Sequence, residues 1–515
     1  MVFSIGSLAQ DNGRFINGIL LDAESSEPVV FATIRVTGKA LGVISNNDGS
    51  FQIPTEFQFK GEQLEISSMG YQTKIIAFTD LKKGIVNRIY VKSAGFELAE
   101  TVVTGRKKRG PTAKQIIRYA LRRIPENYQN NPFGLIGYYR DYQFKEKTYI
   151  NLNEALVQVW DQGFAVDDYR SIRFGLFDYK TNLNFKIDSF AAKPYDYSQW
   201  DKYIPNATLG GTYAPNEMVL LFIHDAVRNH GIDAYSYVYT MVEDFVREHR
   251  FSRVKHTFYG AQKVYQIDFS KIDVPFQVQG TIYVDVDSFA IRKLDYAVHK
   301  QKFDDSSPSK YSTTEKDLLY GILVEYQEYK NRMYLNYISF HNQFKLIRPA
   351  KFFIKDVLLV AANREMKVFL NTPAANWPND FSVKYQGKSL KIDGILKVDP
   401  STFIIKFKEK KLPKQQELLQ LLFSTKEDEK KRSLEIEIPQ LIDGEGNRLG
   451  YRESEIMDQF REFFTQKVID DNDGHHLQDS LLVKKTFSLG HPLQPQMEQV
   501  LDDDFWMNTP LKSKP

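Results

Sequence analysis

The chain of 515 residues contains no cysteine. Disulfides, thiolate metal ligands, cysteine nucleophiles and a lipid-bearing amino-terminal cysteine are excluded together. An excess of one charge sign is also lacking. Its 68 basic and 65 acidic residues leave a formal charge of +3, which gives no electrostatic case for nucleic acid. No run approaches the ~18 to 20 apolar residues of a membrane-spanning helix, so no transmembrane segment is expected. The alternating segments are too few and too irregular for a transmembrane barrel, and a receptor is not expected. Aromatic residues, by contrast, are plentiful: 37 Phe and 29 Tyr bring the aromatic share to 14%, which suits extensive β-structure and large sandwiched cores.

Catalytic patterns are missing as well. The nine His (His224, His230, His249, His256, His299, His341, His475, His476 and His491) form no His-Glu-x-x-His. There is no Gly-x-Ser-x-Gly elbow, no phosphate-cradling Gly loop and no dinucleotide fingerprint. Only His230 with Asp233 approaches the spacing of a metallocarboxypeptidase zinc site, with Asp where that site has Glu. His475-His476, beside Asp470, Asp471 and Asp473, reads as a polar loop before it reads as a metal site. Carboxylates are abundant, and without geometry no pair is singled out for glycoside hydrolysis. No catalytic, cofactor-binding or metal-ligating residue is assigned, and no cofactor is expected.

What is present is a legible amino-terminal domain. Ala32, Ile34 and Val36 alternate with Thr33, Arg35 and Thr37, the period-two pattern of a strand with one buried and one wet face. Asn46-Asn47-Asp48-Gly49 makes a tight polar turn, since Asn and Asp tolerate left-handed backbone angles and Gly adopts them freely. Phe51 and Ile53 resume the alternation, and Leu64 and Ile66 flank Glu65 in a further strand closed by Gly70-Tyr71. Turns every ten residues or so between short strands predict an antiparallel sandwich.

These residues carry a resemblance. The order Gly18, Asp22, Pro28, Ala32, Gly38, Gly42, Asn46, Asp48-Gly49, Phe51, Ser67-Ser68, Gly70-Tyr71 resembles the carboxypeptidase-regulatory-like domain, a transthyretin-like β-sandwich. Leu98 to Gly105 is similar to the segment that commonly follows it. In the Bacteroidetes this domain stands at the amino end of many cell-envelope proteins, so the resemblance implies an address and a fold without a reaction. A second block, Ile124-Pro125-Glu126-Asn127-Tyr128, Gly137-Tyr138-Tyr139-Arg140-Asp141 and Asn153-Glu154-Ala155, resembles one that follows the sandwich in such envelope proteins. It departs from that pattern by placing Asp141 where a Glu would follow the Arg.

At this length three or four domains are expected, on the usual ~100 to 200 residues each. Residues 1–10, an apolar run ending in small residues, read as the remnant of a secretory signal, which points to the periplasm or an outer-membrane association. Residues 11–104 form the regulatory-like sandwich. Residues 105–127 hold a basic linker, Arg106-Lys107-Lys108-Arg109, read as solvated before it is read as a headgroup-binding arm. They also hold a helix with a Thr112/Gln115 capping box and Ile116, Ile117, Ala120, Leu121 and Ile124 at helical spacing.

Residues 128–362 form a central α+β domain. Its strands lie at Tyr265 to Phe269, Ile282 to Val286, Val324 to Tyr329 and Tyr334 to Phe344, and its helices at Glu217 to Arg228 and Tyr237 to Val246. Gly280 to Asp285 and Ala290 to Leu294 resemble the half-barrel of periplasmic lipoprotein carriers, whose concave face can hold an acyl chain. Residues 363–452 predict an immunoglobulin-like sandwich, with Asp443 to Asn447 a polar turn in preference to a calcium loop. In residues 453–515, Ser454 caps an expected amphipathic helix with the stripe Ile456, Met457, Phe460, Phe463, Phe464 and Val468. A polar tail follows, whose Trp506 either tucks into a neighbouring domain or belongs to a recognition motif.

The expected protein is thus mainly β and multidomain: a non-enzymatic envelope scaffold or adaptor that meets an envelope protein partner or outer-membrane complex. One alternative is a periplasmic carrier or binding protein for a lipid or other apolar ligand. The other is a hydrolase with no recognisable motif.

Overall fold

Turn chemistry and the buried half of the alternation act in the first domain as the sequence predicts, but the face expected to be wet is not: Thr33 is buried and Arg35 half-buried, both held by Asn336. Strands β1 (Phe15–Asp22), β2 (Thr33–Val36), β3 (Gly42–Ile44), β4 (Ser50–Pro54), β5 (Gln63–Ser67), β6 (Lys74–Ala77) and β7 (Val86–Val91), with a one-turn helix α1 (Glu56–Phe59), build two facing sheets. One has the order β4-β1-β7, the other β3-β2-β5-β6. Ile16, Leu20, Ile34, Phe51, Leu64 and Ile66 fill the space between them. The Asn46–Gly49 turn closes as expected: the Gly49 N–H donates to the Asn46 carbonyl at 2.8 Å, with Gly49 at φ +74°.

The computed structural model describes residues 14–94, 110–470 and 505–511, apart from residues 40, 147, 167–171, 186, 206–215, 233–240, 261, 307–309, 361–362, 378–379, 409–412 and 425–433. The signal-like run 1–10, Leu98 to Gly105, the basic linker Arg106 to Arg109, Asp233 and His475-His476 all lie outside the described residues. Two compact units result, Met1–Lys345 with Ile456–Pro515 as one and Leu346–Glu455 as the other.

After the sandwich, helix α2 (Ala113–Arg122) starts on the predicted capping box. Thr112 Oγ1 accepts from the Gln115 N–H, and the Gln115 side chain accepts from the Thr112 N–H at 2.9 Å. Helix α3 (Ile124–Asn127) follows, then the long strands β8 (Phe133–Lys145), β9 (Thr148–Asp161) and β10 (Arg173–Asn182) and the short β11 (Lys202–Tyr203). Helices α4 (Glu217–Ile223) and α5 (Glu243–Glu248) lead to β12 (Arg250–Phe251), β13 (Lys255–Tyr259), β14 (Gln262–Asp273), β15 (Phe276–Asp285), β16 (Ile291–Phe303), β17 (Tyr311–Tyr329) and β18 (Arg332–Ile347). The helix predicted from Glu217 to Arg228 is shorter than its periodicity suggested. It stops at Ile223, and Asp225 then turns the chain by accepting the N–H groups of Val227 and Arg228 at 3.1 and 2.9 Å.

The second unit contains β19 (Ile354–Val360), β20 (Glu365–Leu370), β21 (Ser382–Tyr385), β22 (Lys388–Leu390), β23 (Ile392–Asp399), β24 (Thr402–Phe407), helix α6 (Pro413–Ser424) and β25 (Leu434–Glu437). Two antiparallel sheets, β19-β20-β24-β23 and β22-β21-β25, share one core with α6, a helix that the strand-by-strand sequence reading does not contain. Asp443 to Asn447 is a polar turn. Asp443 Oδ1 accepts from the N–H groups of Glu445 and Asn447 at 3.0 and 2.8 Å, and its Oδ2 accepts from Asn447 Nδ2 at 2.9 Å.

The chain re-enters the first unit through β26 (Ser454–Asp470), where a helix was expected. Ile456, Met457, Phe460, Phe463, Phe464 and Val468 do fall at helical intervals, but most positions between them are not wet. Gln459, Arg461, Glu462, Thr465 and Gln466 are buried too. A strand covered on both faces buries consecutive residues, and its apolar members can then imitate a helical stripe by chance.

This strand completes a twelve-stranded sheet with the main path β10-β9-β8-β26-β18-β17-β16-β15-β14-β12, β11 and β13 pairing from the side. One face packs against α2 to α5, with Phe222 5.3 Å from Phe174 and 5.2 Å from Phe463 between ring centroids. The other face receives the sandwich, where Phe31 stacks on Tyr337 at 5.4 Å and Ile44 meets Phe464.

Candidate functional site

Successive residues of a strand point to opposite faces, so a charged dipeptide in the middle of a doubly covered sheet is divided between two environments. Two such dipeptides meet here. In the antiparallel pairing of β8 with β26, Arg140 lies opposite Glu462 and Asp141 opposite Arg461. All four are buried.

On the sandwich-covered face Arg140 forms an ion pair with Glu462 and donates to Asn46 Oδ1 in the sandwich's polar turn. Tyr142 donates to Glu462 at 2.7 Å and accepts from Asn47 at 2.5 Å. The turn residues that shape the sandwich thus also fasten it to the sheet. A second fastening joins Arg35 of β2 to Asn336 of β18. Asn336 also donates to Thr33 at 3.1 Å and to Glu325 at 3.0 Å, and Tyr259 donates to the same carboxylate at 2.9 Å. Burial lowers the Arg35 guanidinium to about 10, against the pull of Tyr259 and Glu325.

On the helix-covered face Arg461 turns to Glu217, the first residue of α4, and donates to Asn342 at 2.6 Å. Asp141 receives Gln459 Nε2 at 2.9 Å on one oxygen, while Oδ2 is buried without a hydrogen-bond partner. Burial, reinforced by the Glu217 charge and opposed by Arg461, pushes the Asp141 carboxyl up to about 7. Lys202 donates to the carbonyls of Ala191 and Lys193, both at 2.7 Å, and burial pushes its ammonium down to about 8. Tyr195 completes the group, donating to Gln459 at 2.8 Å and accepting from Asn342 at 3.0 Å.

A third buried group sits under the helices. Arg228 grips Asp161 with Nε and Nη2 at 2.8 to 3.0 Å, and Tyr326 donates to Asp225, whose carboxyl burial pushes up to about 6. Such groups can hold a register and store a proton near neutral pH. As ion pairs they give specificity more than stability, since desolvation offsets much of the attraction.

His224 and His249 are engaged by backbone carbonyls, of Leu220 and Phe245, and His341 meets Asp458 at 2.9 Å. Of the zinc-like pair, His230 is described and Asp233 lies outside the described residues. Among the described residues no group of three or more His, Asp or Glu is placed to hold a metal ion. Two hollows among the described residues are a cleft of about 310 Å³ between Met69-Gly70 and Thr257, and a shallow one of about 630 Å³ along Phe251, Asp268 and Tyr296.

No residue in the sequence announced itself as catalytic, yet the block Gly137 to Asp141 supplies Arg140 and Asp141 to these networks. The partners Glu462, Arg461, Glu217 and Lys202 carried no local signal. Each is an ordinary charged residue until the strands pair.

Residues 16–103 match the family described as the CarboxypepD_reg-like domain, so the first sandwich is such a domain. No curated protein and no solved structure matches the chain.

Proposed function

We propose, from a CarboxypepD_reg-like module held on a large sheet, that the protein is a non-enzymatic scaffold or adaptor of the cell envelope, in the periplasm or at the outer membrane. In this reading the sandwich is the interaction module and its partner is another envelope protein. The regulatory-like domain is not itself catalytic, and among the described residues no helix is long and apolar enough to cross a membrane.

One observation carries the reading. The sandwich is fixed through Thr33, Arg35, Asn46 and Asn47, among others, while its edge strands expose Ile75 (56%), Val86 (44%) and Tyr90 (41%). Apolar side chains left in water on the outermost strands β6 and β7 suit a protein partner better than they suit solvent. The carrier alternative would need the sheet face now filled by Ile117, Phe222 and Phe245, so the helices would have to leave it.

The test is a photo-crosslinking residue at Tyr90 in the full chain, expressed in its native cells with fractionation of the envelope. One reproducible envelope partner, lost when Val86→Asp is added, is the expected result. Recovery of the chain outside the envelope, or a different set of products in every repeat, overturns the reading.

A further inference from the structure

Residues 505–511 lie in a groove between the sandwich and the large sheet, and their side chains are shared alternately between the two walls. Phe505 and Met507 are buried against Ile136, Tyr138, Leu156 and Ile469 of the sheet. Trp506 enters the sandwich core 5.8 Å from the Phe57 ring, and its indole N–H donates to the Gln52 carbonyl at 2.8 Å. Asn508 accepts from the Gln52 N–H at 2.8 Å and donates to the Ile44 carbonyl at 2.7 Å. Thr509 then donates to Glu154 at 2.8 Å.

Gln52 belongs to β4, the outer strand of its sheet, so Trp506 and Asn508 give an edge strand the donor and acceptor that a neighbouring strand would give it. Reading alternate side chains of an extended segment along a sheet edge is how peptide-recognition domains work. The walls also hold each other without the segment, through Arg35 with Asn336, Arg140 with Asn46 and Tyr142 with Asn47.

We propose that this groove is a peptide-docking site and that residues 505–511 are its ligand, bound within the chain but separable, so that the same segment of a second copy can take its place. The site reads a neutral segment with Trp and Asn two residues apart between large apolar residues. It lies apart from the exposed β6 and β7 strands and stands or falls independently of the envelope role.

The test uses the full chain carrying Trp506→Ala and Asn508→Ala, titrated with a fluorescent synthetic peptide of residues 501–515. Saturable one-to-one binding is expected, at least tenfold tighter than to the unaltered chain, whose own segment competes. A peptide carrying the same two substitutions should bind at least tenfold more weakly. Equal binding to both chains overturns the proposal. Should the variant lose its cooperative thermal transition, recovery on adding peptide supports the proposal, and no recovery shows the segment to be an inseparable part of the core. A second measurement keeps the native segment: a protease site placed at residues 485–490 is cut after folding. Release of the carboxyl-terminal fragment by excess peptide supports the proposal, and retention against it counts as refutation.

Discussion

Arg140 on β8 stands directly opposite Glu462 on β26, and the two form an ion pair from which water is almost wholly excluded. Removing one member leaves the other charged and alone in a low dielectric. Glu462→Ala should therefore destabilise the first unit by about 3–5 kcal/mol, while the double change Arg140→Met with Glu462→Leu should cost far less. Denaturant unfolding of the three proteins measures this, and equal stability of Glu462→Ala and the unaltered chain would contradict it.

Asp141 gives a pH dependence of unusual sign. Its folded carboxyl, at about 7, lies above the 3.8 of an unperturbed Asp, so between those values the folded state binds more protons than the unfolded state. Stability is then highest at the acid end of the window and falls as pH rises from about 4 to 7, by up to about 1.4 kcal/mol per pH unit for this group. Lys202, lowered from 10.5 to about 8, acts in the opposite sense above neutrality: its share of stability grows as pH rises from 8 to 10.5. In Asp141→Asn the fall in stability between pH 4 and 7 should shrink. Identical slopes of unfolding free energy against pH for variant and parent would refute the assignment.

Gly137 tests the close approach of β8 and β26. A Cβ there would collide with the Phe463 ring and with the Phe464 carbonyl oxygen, and backbone cannot yield as a flexible side chain does. Gly137→Ala should lower stability by about 1–3 kcal/mol, the usual cost of overpacking a filled core. A thermal midpoint unchanged within error would show that the strands separate more readily than this packing implies.

Arg35→Ala should loosen the sandwich without unfolding it. The change removes a buried donor from Asn336 and costs about 1–3 kcal/mol at that contact. Amide hydrogen exchange in β2 should quicken at least tenfold while α2 and β9 stay protected. Uniform acceleration across the chain would mean that the two parts open only together.

Legibility in the sequence followed the environment of each strand. The first sandwich could be read because its core-facing residues alternate with polar ones, although the polar face of β2, with Thr33 and Arg35, is covered by the large sheet and not wet, and because its turns need Asn, Asp and Gly at fixed places. Strands β14 and β15 were readable for the same reason: Ile267 and Phe269, or Ile282 and Val284, alternate with polar neighbours. β26 was not, since a strand dry on both sides has no period to read, and Ile456 to Val468 passed for a helix. The candidate site failed for a different reason. Arg140 and Glu462 are 322 positions apart, and only a register between two distant strands makes them partners. The fate of Trp506 was half visible: an apolar residue in a polar tail had to be covered by something, and the cover is the sandwich core.

The second unit interrupts the sheet between β18 and β26, and that has a price in time for a chain emerging from the ribosome. At translation speeds of roughly 5–20 residues per second, the stretch separating Arg140 from Glu462 takes on the order of 15–65 seconds to make. Throughout that interval β8 lacks the neighbour that will finally lie beside it, as does β18 from the time it is made, and the backbone groups of both and the Arg140 guanidinium have no permanent cover. A nascent chain in this condition is open to off-pathway strand pairing. The moment of greatest vulnerability in its synthesis is therefore set by the position of one late strand.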